Sequence, residues 1–381
     1  MSTQSDATTR RPEAPDRIGV AMVGCGVIGR THVAAIEAID ELELVAVVDP
    51  IESAREAFAD AALARTGSRP AVYAELDEAL ADPRVGMVSV GTPSGMHIRQ
   101  GLAALAAGRH VVIEKPLDAS LEHAAEIEAA AAAAAERGIV ASVISQHRFD
   151  SATRAVADAI SSGRLGRVTS ALATSPRWRT QEYYDSGEWR GTWEFDGGGA
   201  LMNQGVHTLD VLLALMGRPV EISARTALLA HERVEVEDTM VATIEFESGA
   251  LGMMHASTAA YPGLESRVQI MGSGGSAIIE NDELVYLTGH EAGGESSAGA
   301  PAPAVTAPGD ARQLPEGHIR QYRDVLRAIR TGTAPGVPVS AAAIALCAVR
   351  AVYISATLGR PVLFDDVRAG RYADVEVRTG R

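Results

Sequence analysis

The chain has 381 residues, 46% of them hydrophobic and 22% charged. That balance belongs to a folded globular protein of two or three domains, and it excludes global disorder, a collagen-like fibre and a disulfide-stapled miniprotein. Acidic side chains outnumber basic ones 49 to 34, a formal net charge of −15; such a field repels phosphate backbones and anionic bilayers, so neither nucleic acid nor membrane is an expected partner.

Two cysteines, Cys25 and Cys347, cannot build a disulfide framework, and neither has metal-ligand spacing. They read as buried, reduced thiols of a cytoplasmic protein, and no metal site is expected. No run of about 18 uncharged apolar residues is present, so no transmembrane helix is expected. Arg10-Arg11 has the look of a twin-arginine export signal. Pro12, Glu13, Pro15 and Asp16 stand where its apolar stretch would be, so residues 1–16 read as a disordered tail.

Folded sequence begins at Arg17. Ile18–Val23, Leu42–Val48, Val85–Val90, His110–Ile113 and Ile139–Ile144 are short apolar runs rich in β-branched residues, the pattern of buried strands. Between them Arg30–Ile39, Ser53–Ala64, Ile98–Ala107 and the alanine-rich Leu121–Arg137 read as helices. Strand and helix alternate over residues 17–144, the signature of a doubly wound parallel sheet. The pattern changes after residue 145. A helix over Thr153–Ser162 and a strand over Val168–Thr174 precede an aromatic and arginine-rich stretch, and Ala200–Met216 is a strongly apolar helix. Strands then follow with turns and no helices between them: Val220–Leu229, Asp238–Glu247, Gly249–Thr258, Ser266–Met271, Ser276–Glu280 and Glu283–Leu287. The second domain, 145–381, is therefore α+β on an antiparallel meander, with one sheet face on helices and the other wet or covered by another subunit. Residues 289–313 read as a flexible surface loop, and helices over Ile319–Arg330 and Ala341–Thr357 finish the fold.

Gly24-Cys25-Gly26-Val27-Ile28-Gly29 is a GxGxxG between the first strand and the first helix. Gly24 permits the tight turn, Gly26 lets backbone approach a pyrophosphate, and Gly29 lets helix and strand pack closely. The helix N-terminus supplies free N–H groups to the phosphates. Asp49 ends the second strand 20 residues beyond Gly29, where a carboxylate accepts from ribose hydroxyls and repels a 2′-phosphate. No Arg follows it directly; Arg55 is the nearest. The pattern favours NAD over NADP.

Gly91-Thr92-Pro93-Ser94-Gly95-Met96-His97 and Glu114-Lys115-Pro116 end the next two strands, where ligands of open α/β sheets bind. A lysine partly out of water beside a cationic nicotinamide gives up its proton more readily, because both effects disfavour the ammonium form, and can then take a proton from an alcohol. Further on, Gly197-Gly198-Gly199 opens a helix carrying Asn203, His207 and Asp210. Asn203 and His207 are i, i+4 and share a helical face, and the glycines allow close backbone approach to a ligand. Gln146, His147 and Arg148 leave the last strand of the first domain toward the cleft. Arg177, Trp178, Arg179, Tyr183, Tyr184, Trp189 and Arg190 precede the glycine run; aromatics stack on sugar faces and arginine forks bind hydroxyls or carboxylates. Among these, Arg148, Arg177, Trp178 and Tyr184 are the candidate substrate contacts, with Lys115, Asn203 and His207.

The GxGxxG, the Glu-Lys-Pro and the GGGxxxNxGxHxxD helix, in this order and spacing, resemble the Gfo/Idh/MocA oxidoreductases over roughly Arg17 to Phe364. The resemblance implies an N-terminal Rossmann domain, a C-terminal α+β domain with an open, mainly antiparallel sheet, and NAD(P)-dependent hydride transfer at a hydroxyl-bearing carbon of a sugar, cyclitol or related polyol. It implies homodimers or homotetramers formed through the open sheet. It makes Lys115 and His207 the catalytic pair, places Thr92, Pro93, His97 and Glu114 near the cofactor, and implies a cis Lys115-Pro116 bond. Many members carry Asp where this chain has Asn203. An amide cannot act as a base, which shifts the proton work to Lys115 and His207, with Asn203 and Asp210 positioning substrate and His207. Two other readings of the same residues are a glycosidase or lyase in which NAD is reduced and reoxidised within one turnover, and a sensor that holds NAD without chemistry.

Overall fold

A computed structural model describes residues 17–118, 120–187, 190–193, 196–290 and 315–380. The expected tail 1–16, Trp189 and all but the first two residues of the expected loop 289–313 lie outside the described residues.

The first half alternates as expected: β1 (Ile18–Val23), α1 (Val27–Glu37), β2 (Leu42–Val48), α2 (Glu52–Thr66), β3 (Ala71–Tyr73), α3 (Leu76–Leu80), β4 (Val85–Val90), α4 (His97–Ala106), β5 (His110–Ile113), α5 (Leu121–Ala135) and β6 (Ala141–Val143). The strands form one parallel sheet in the order β3-β2-β1-β4-β5-β6. Order reverses between β1 and β4, which opens a crevice at their carboxyl ends. β3 and α3 escape a periodicity search because they are so short. α3 is set by local chemistry instead, a capping box in which Glu75 and Glu78 satisfy each other's backbone N–H groups.

The second half holds α6 (Ser151–Ser161), β7 (Val168–Pro176), α7 (Gln181–Asp185), α8 (Val206–Met216), β8 (Pro219–Ala227), β9 (Thr239–Phe246), β10 (Leu251–Ser257), β11 (Arg267–Gly272), β12 (Gly275–Glu280), β13 (Glu283–Gly289), α9 (Glu316–Thr331), α10 (Val339–Leu358), β14 (Val362–Leu363) and α11 (Phe364–Arg368). Its sheet runs β13-β12-β11-β7-β10-β9-β8-β14. It is not a simple meander, because β7 inserts between β10 and β11 and pairs parallel with β10; the other pairings are antiparallel. α8 and α10 cover one face. The other presents Val241, Leu251 and Met253, which are 46%, 61% and 40% exposed.

Two helices depart from the expected division. α9, placed by sequence in the second domain, returns to the first: Ile319, Tyr322, Val325 and Leu326 share a core with Val20, Met22, Val47 and Met87. Its Gln321 donates to the Val143 carbonyl (2.7 Å) and accepts from the Ser145 N–H (3.0 Å), pinning the end of β6. α10 is long and apolar enough, by length and composition, to cross a membrane, although Arg350 interrupts its apolar run. In the fold 67% of its most apolar window is buried, and the helix packs between β8, α5 and α8.

Candidate active site

The glycine loop performs three tasks. Gly24 has φ +97°, and a Cβ there would lie 2.6 Å from the Gly91 carbonyl oxygen; a Cβ on Gly29 would collide with the Gly24 carbonyl. These two close the turn and seat α1. Gly26 is different, since nothing lies within 4 Å of a Cβ built on it. Its outer side is open, no side chain caps α1, and Val27 is 84% exposed, while Ile28 turns inward toward Gly91. The Asp49 carboxylate accepts from the backbone N–H of Cys25 and of Ile51, each at 2.9 Å, so it is fixed beside the loop. Arg55 donates to the carbonyls of Asp49 and Pro50. An open glycine, a bare helix N-terminus and a fixed carboxylate together fit a pyrophosphate and an adenosine ribose. Burial, aided by the Asp49 charge, pushes the Cys25 thiol up to about 12, so it is an inert part of the turn.

The loops after β4 and β5 are tied together from below. His97, 1% exposed, sits between the carbonyls of Thr92 and Pro116, each 2.8 Å from a ring nitrogen. Thr92 Oγ1 donates to Gln100, and Pro93 enters the short turn Ser94–Met96. His97 is thus a strut between loops, and both of its ring nitrogens are spent there. Glu114 is 4% exposed. Its Oε2 accepts the Lys115 N–H at 2.9 Å and its Oε1 lies 3.0 Å from His32 Nε2. His32 Nδ1 meets the Tyr322 hydroxyl at 2.7 Å, which in turn meets Ser89 Oγ at 2.7 Å. Burial alone would raise the Glu114 carboxyl, but His318, His32 and Lys115 outweigh it and hold the group well below the usual carboxylate range. A buried anion with four elements around it therefore anchors the backbone of Lys115. The Lys115-Pro116 bond is cis, as the resemblance implied.

Lys115 is half-buried and lines one cavity with His207, Asp210 and Ser145. His207 also lines a wider cleft of about 320 Å³ with Asn203, His147, Arg177, Arg179, Arg267 and Asp282. So the two halves of the expected catalytic pair, from opposite domains, do meet. Burial, with the positive charges of Lys115 and His147 adding to it, pushes His207 down to about 3, leaving a neutral imidazole. Its neighbour His147, with ring centroids 5.2 Å apart, behaves oppositely. Burial would lower it, but hydrogen bonds to Asp150 (2.9 Å) and Asp282 (3.1 Å) prevail and push it up to about 10. These contacts also explain why His147, Asp150 and Asp282 cluster as metal ligands do, and His32, Glu114 and His318 likewise.

One signal in the sequence was passed over. Lys115 is the only lysine in the chain; the other 33 of its 34 basic side chains are arginine. A guanidinium keeps its proton throughout the physiological range, whereas an amine can release one. An amine at this one position points to proton transfer more sharply than the Glu-Lys-Pro motif alone.

Several expected roles move. Asp210 does not hold His207. Its carboxylate is bidentate to Arg148, Nε at 2.8 Å and Nη2 at 2.5 Å, and also accepts from Ser145 Oγ. Arg148, expected to bind substrate, is consumed in that pair. The pair ties the turn Gln146–Phe149, where the chain leaves the first domain, to α8. Tyr184 is core: its hydroxyl meets Thr258 Oγ1 at 2.8 Å and its ring packs on His231. Trp178 stacks edge-on against Tyr261 and tilts over His231. Among the described residues of the aromatic and arginine stretch, Arg177 and Arg179 line the cleft. The helix over Ala200–Met216 begins as a π-turn, Leu201–Gly205, so Asn203 and His207 do not keep α-helical register, yet both face the cleft. Asn203 Nδ2 donates to Gly198 O at 3.0 Å.

The glycine run serves packing rather than ligand approach. A Cβ on Gly199 would overlap the Glu237 carbonyl, and one on Gly198 the Tyr353 hydroxyl. The buried Glu237 carboxylate accepts from the N–H groups of Gly199 and Leu201, each 2.9 Å, and from Tyr353 at 3.0 Å. Burial raises its carboxyl to about 7 against the pull of those donors.

Comparison with known proteins agrees with this arrangement. Residues 18–145 match the oxidoreductase family's NAD-binding Rossmann fold, and residues 153–278 match the GFO/IDH/MocA C-terminal domain. The chain is similar to scyllo-inositol 2-dehydrogenase (NADP(+)) IolW of Bacillus subtilis, 29% identical over 86% of this chain and 89% of that one. It is similar to myo-inositol 2-dehydrogenase of Thermotoga maritima, 27% identical over 71% and 78%. Among solved structures it is similar to the WlbA dehydrogenase of Bordetella pertussis in complex with NADH and UDP-GlcNAcA, 32% identical, TM-score 0.73, covering 92% of this chain and 98% of that one. With both domains matched and the glycine loop, Glu-Lys-Pro and histidine helix assembled around one cleft, this chain belongs to the Gfo/Idh/MocA family of NAD-binding oxidoreductases.

Proposed function

We propose that this protein is a dehydrogenase or reductase in which Lys115 and His207 move the proton of a substrate hydroxyl at a hydroxyl-bearing carbon of a sugar, cyclitol or related polyol. The observation that carries this reading is the meeting of the chain's sole lysine with a neutral imidazole from the other domain, at the carboxyl edge of the parallel sheet beside an open glycine loop. Gly24 to Gly29 would hold the pyrophosphate and Asp49 the ribose. The nicotinamide, when bound, supplies the acceptor or donor of hydride at the carbinol carbon. Lys115 Nζ removes the hydroxyl proton in the oxidising direction and returns it in the reducing one. His207, uncharged, donates its ring N–H to the oxygen of that hydroxyl and leaves the proton to Lys115. Glu114 keeps the Lys115 backbone in place, and the Arg148–Asp210 pair fixes the turn after β6 against the helix that carries His207. Asp49 beside the ribose position and an Arg55 occupied by carbonyls favour NAD over NADP.

The inositol dehydrogenase relatives support a polyol substrate, and the NADH and UDP-GlcNAcA complex of WlbA supports a sugar derivative. The exposed Val241, Leu251 and Met253 on the uncovered sheet face support self-association as a homodimer or homotetramer. The free, buried Cys25 and Cys347 support a cytoplasmic location.

The test is NADH absorbance with purified protein against inositols, aldoses, anhydrosugars and sugar acids. Accumulating NADH is the expected result. Product formed without NADH would replace this reading with the internally redox-neutral lyase, and NAD binding without product from any of them would leave only a sensor.

A further inference from the structure

The cleft beyond His207 has a charge unlike that of the rest of the molecule. In a chain of net charge −15, three arginines from different segments converge there: Arg177 and Arg179 after β7, and Arg267 at the start of β11. Arg267 is paired with Glu280 at 2.9 Å. Arg177 and Arg179 have no ion pair among the described residues; Arg179 donates to Gln204 Oε1 at 2.9 Å and stands over the Tyr183 ring. Three buried donors lining this cleft have no hydrogen-bond partner among the described residues: Arg179 Nε, Arg267 Nε and Ser266 Oγ. Buried donors without acceptors cost of order 1–3 kcal/mol each, so such a cluster normally answers to something that accepts.

The carboxylates at the cleft are already engaged. Its carboxylate, Asp282, already serves His147, and the nearby Asp210 is held by Arg148 and Ser145. A neutral polyol offers as many O–H donors as acceptors and needs both kinds of partner. An anionic group needs donors and positive charge, which is what this cleft holds.

From this we propose that the substrate carries an anionic group, a carboxylate or a phosphoryl, seated among Arg177, Arg179, Arg267 and Ser266 while its reacting hydroxyl lies at His207 and Lys115. The inference rests on the dehydrogenase reading above, and names the class of polyol that reading left open.

The test titrates the NADH-loaded enzyme with three pyranoses that differ at one position: D-glucose, D-glucuronate and D-glucose 6-phosphate. One or both anions should bind at least about tenfold tighter than D-glucose, and raising salt from 50 to 300 mM should narrow that gap. Arg177→Gln and Arg179→Gln should each bring the favoured anion toward the affinity of D-glucose. Preference for glucuronate assigns a carboxylate, and preference for the phosphate ester a phosphoryl. D-Glucose binding as tightly as both anions, or anion binding untouched by both substitutions, overturns the proposal. Anions that bind as expected but are never oxidised with NAD would leave this site standing and remove the dehydrogenase reading instead.

Discussion

Replacing Asp210 by Asn removes one charge from the Arg148–Asp210 pair and almost nothing else. The Arg148 and Asp210 side chains are 14% and 12% exposed, so the guanidinium would be left with two broken charge-assisted bonds and little water. Breaking a buried pair from one side costs about 3–5 kcal/mol. At about 2.1 cal/mol/K per residue, 381 residues give an unfolding entropy of roughly 0.8 kcal/mol/K, so the Tm should fall by about 4–6 °C. Thermal unfolding followed by circular dichroism, on Asp210→Asn, Arg148→Gln and the double variant, measures both the loss and the coupling. The two single losses should not add, because each removes the same pair. Arg148→Met with Asp210→Leu should recover most of the loss, since an apolar pair leaves no stranded charge. A Tm for Asp210→Asn within about 1 °C of wild type, or losses that add, would show that the pair does not hold the turn after β6 to α8. Activity would then return Asp210 to the role of orienting His207.

Three other outcomes follow from the same geometry. Gly199→Ala puts a Cβ into the Glu237 carbonyl and should cost about 1–3 kcal/mol or more, seen as a lowered Tm with loss of activity; an unchanged Tm would return the glycine run to a ligand. His147 is raised in the folded state to about 10, above its unfolded 6.5, so its pairing with Asp150 and Asp282 stabilises fully below pH 6.5 and fades as pH climbs through 10. The Tm gap between wild type and His147→Gln should therefore be widest near pH 6 and shrink toward pH 10; a gap that widens contradicts the assignment. Acetylation with an amine-selective reagent can modify only the N-terminus and Lys115. Activity should disappear in step with the second adduct by intact mass, and an active doubly acetylated enzyme would contradict the role given to Lys115.

The strands were legible because buried parallel strands are written as unbroken apolar runs: Ile18–Val23, Leu42–Val48, Val85–Val90 and His110–Ile113 occupy the expected residues. The Rossmann loop was legible because backbone geometry at Gly24 and close packing at Gly29 demand glycine. What sequence concealed depends on long-range pairing. Nothing local shows that β7 slips between β10 and β11, or that α9, 170 residues beyond β6, returns to cover the first sheet. The site was read in the same proportion. Lys115 and His207 line one cavity, and Asn203 lines the wider cleft with His207. Asp210 was misread because helical spacing reports which residues share a face and is silent on an arginine arriving from a turn 62 residues earlier. Tyr184 and Trp178 were misread because an aromatic in a loop looks alike whether it faces a sugar or His231. Arg179, the adjacent Ser266 and Arg267, and Asp282 reach the cleft from three places in the chain that no spacing connects.

The central claim is that Lys115 carries the proton and is not needed to hold the cofactor. Lys115→Met keeps the length and apolar stem of the side chain and removes the amine. NADH titration by fluorescence, beside NADH formation with an oxidised substrate, separates binding from chemistry. The account predicts NADH affinity close to that of wild type and turnover lower by about 10²–10⁴, the usual worth of a positioned general base. Turnover within a few fold of wild type, with the cofactor bound normally, would contradict it.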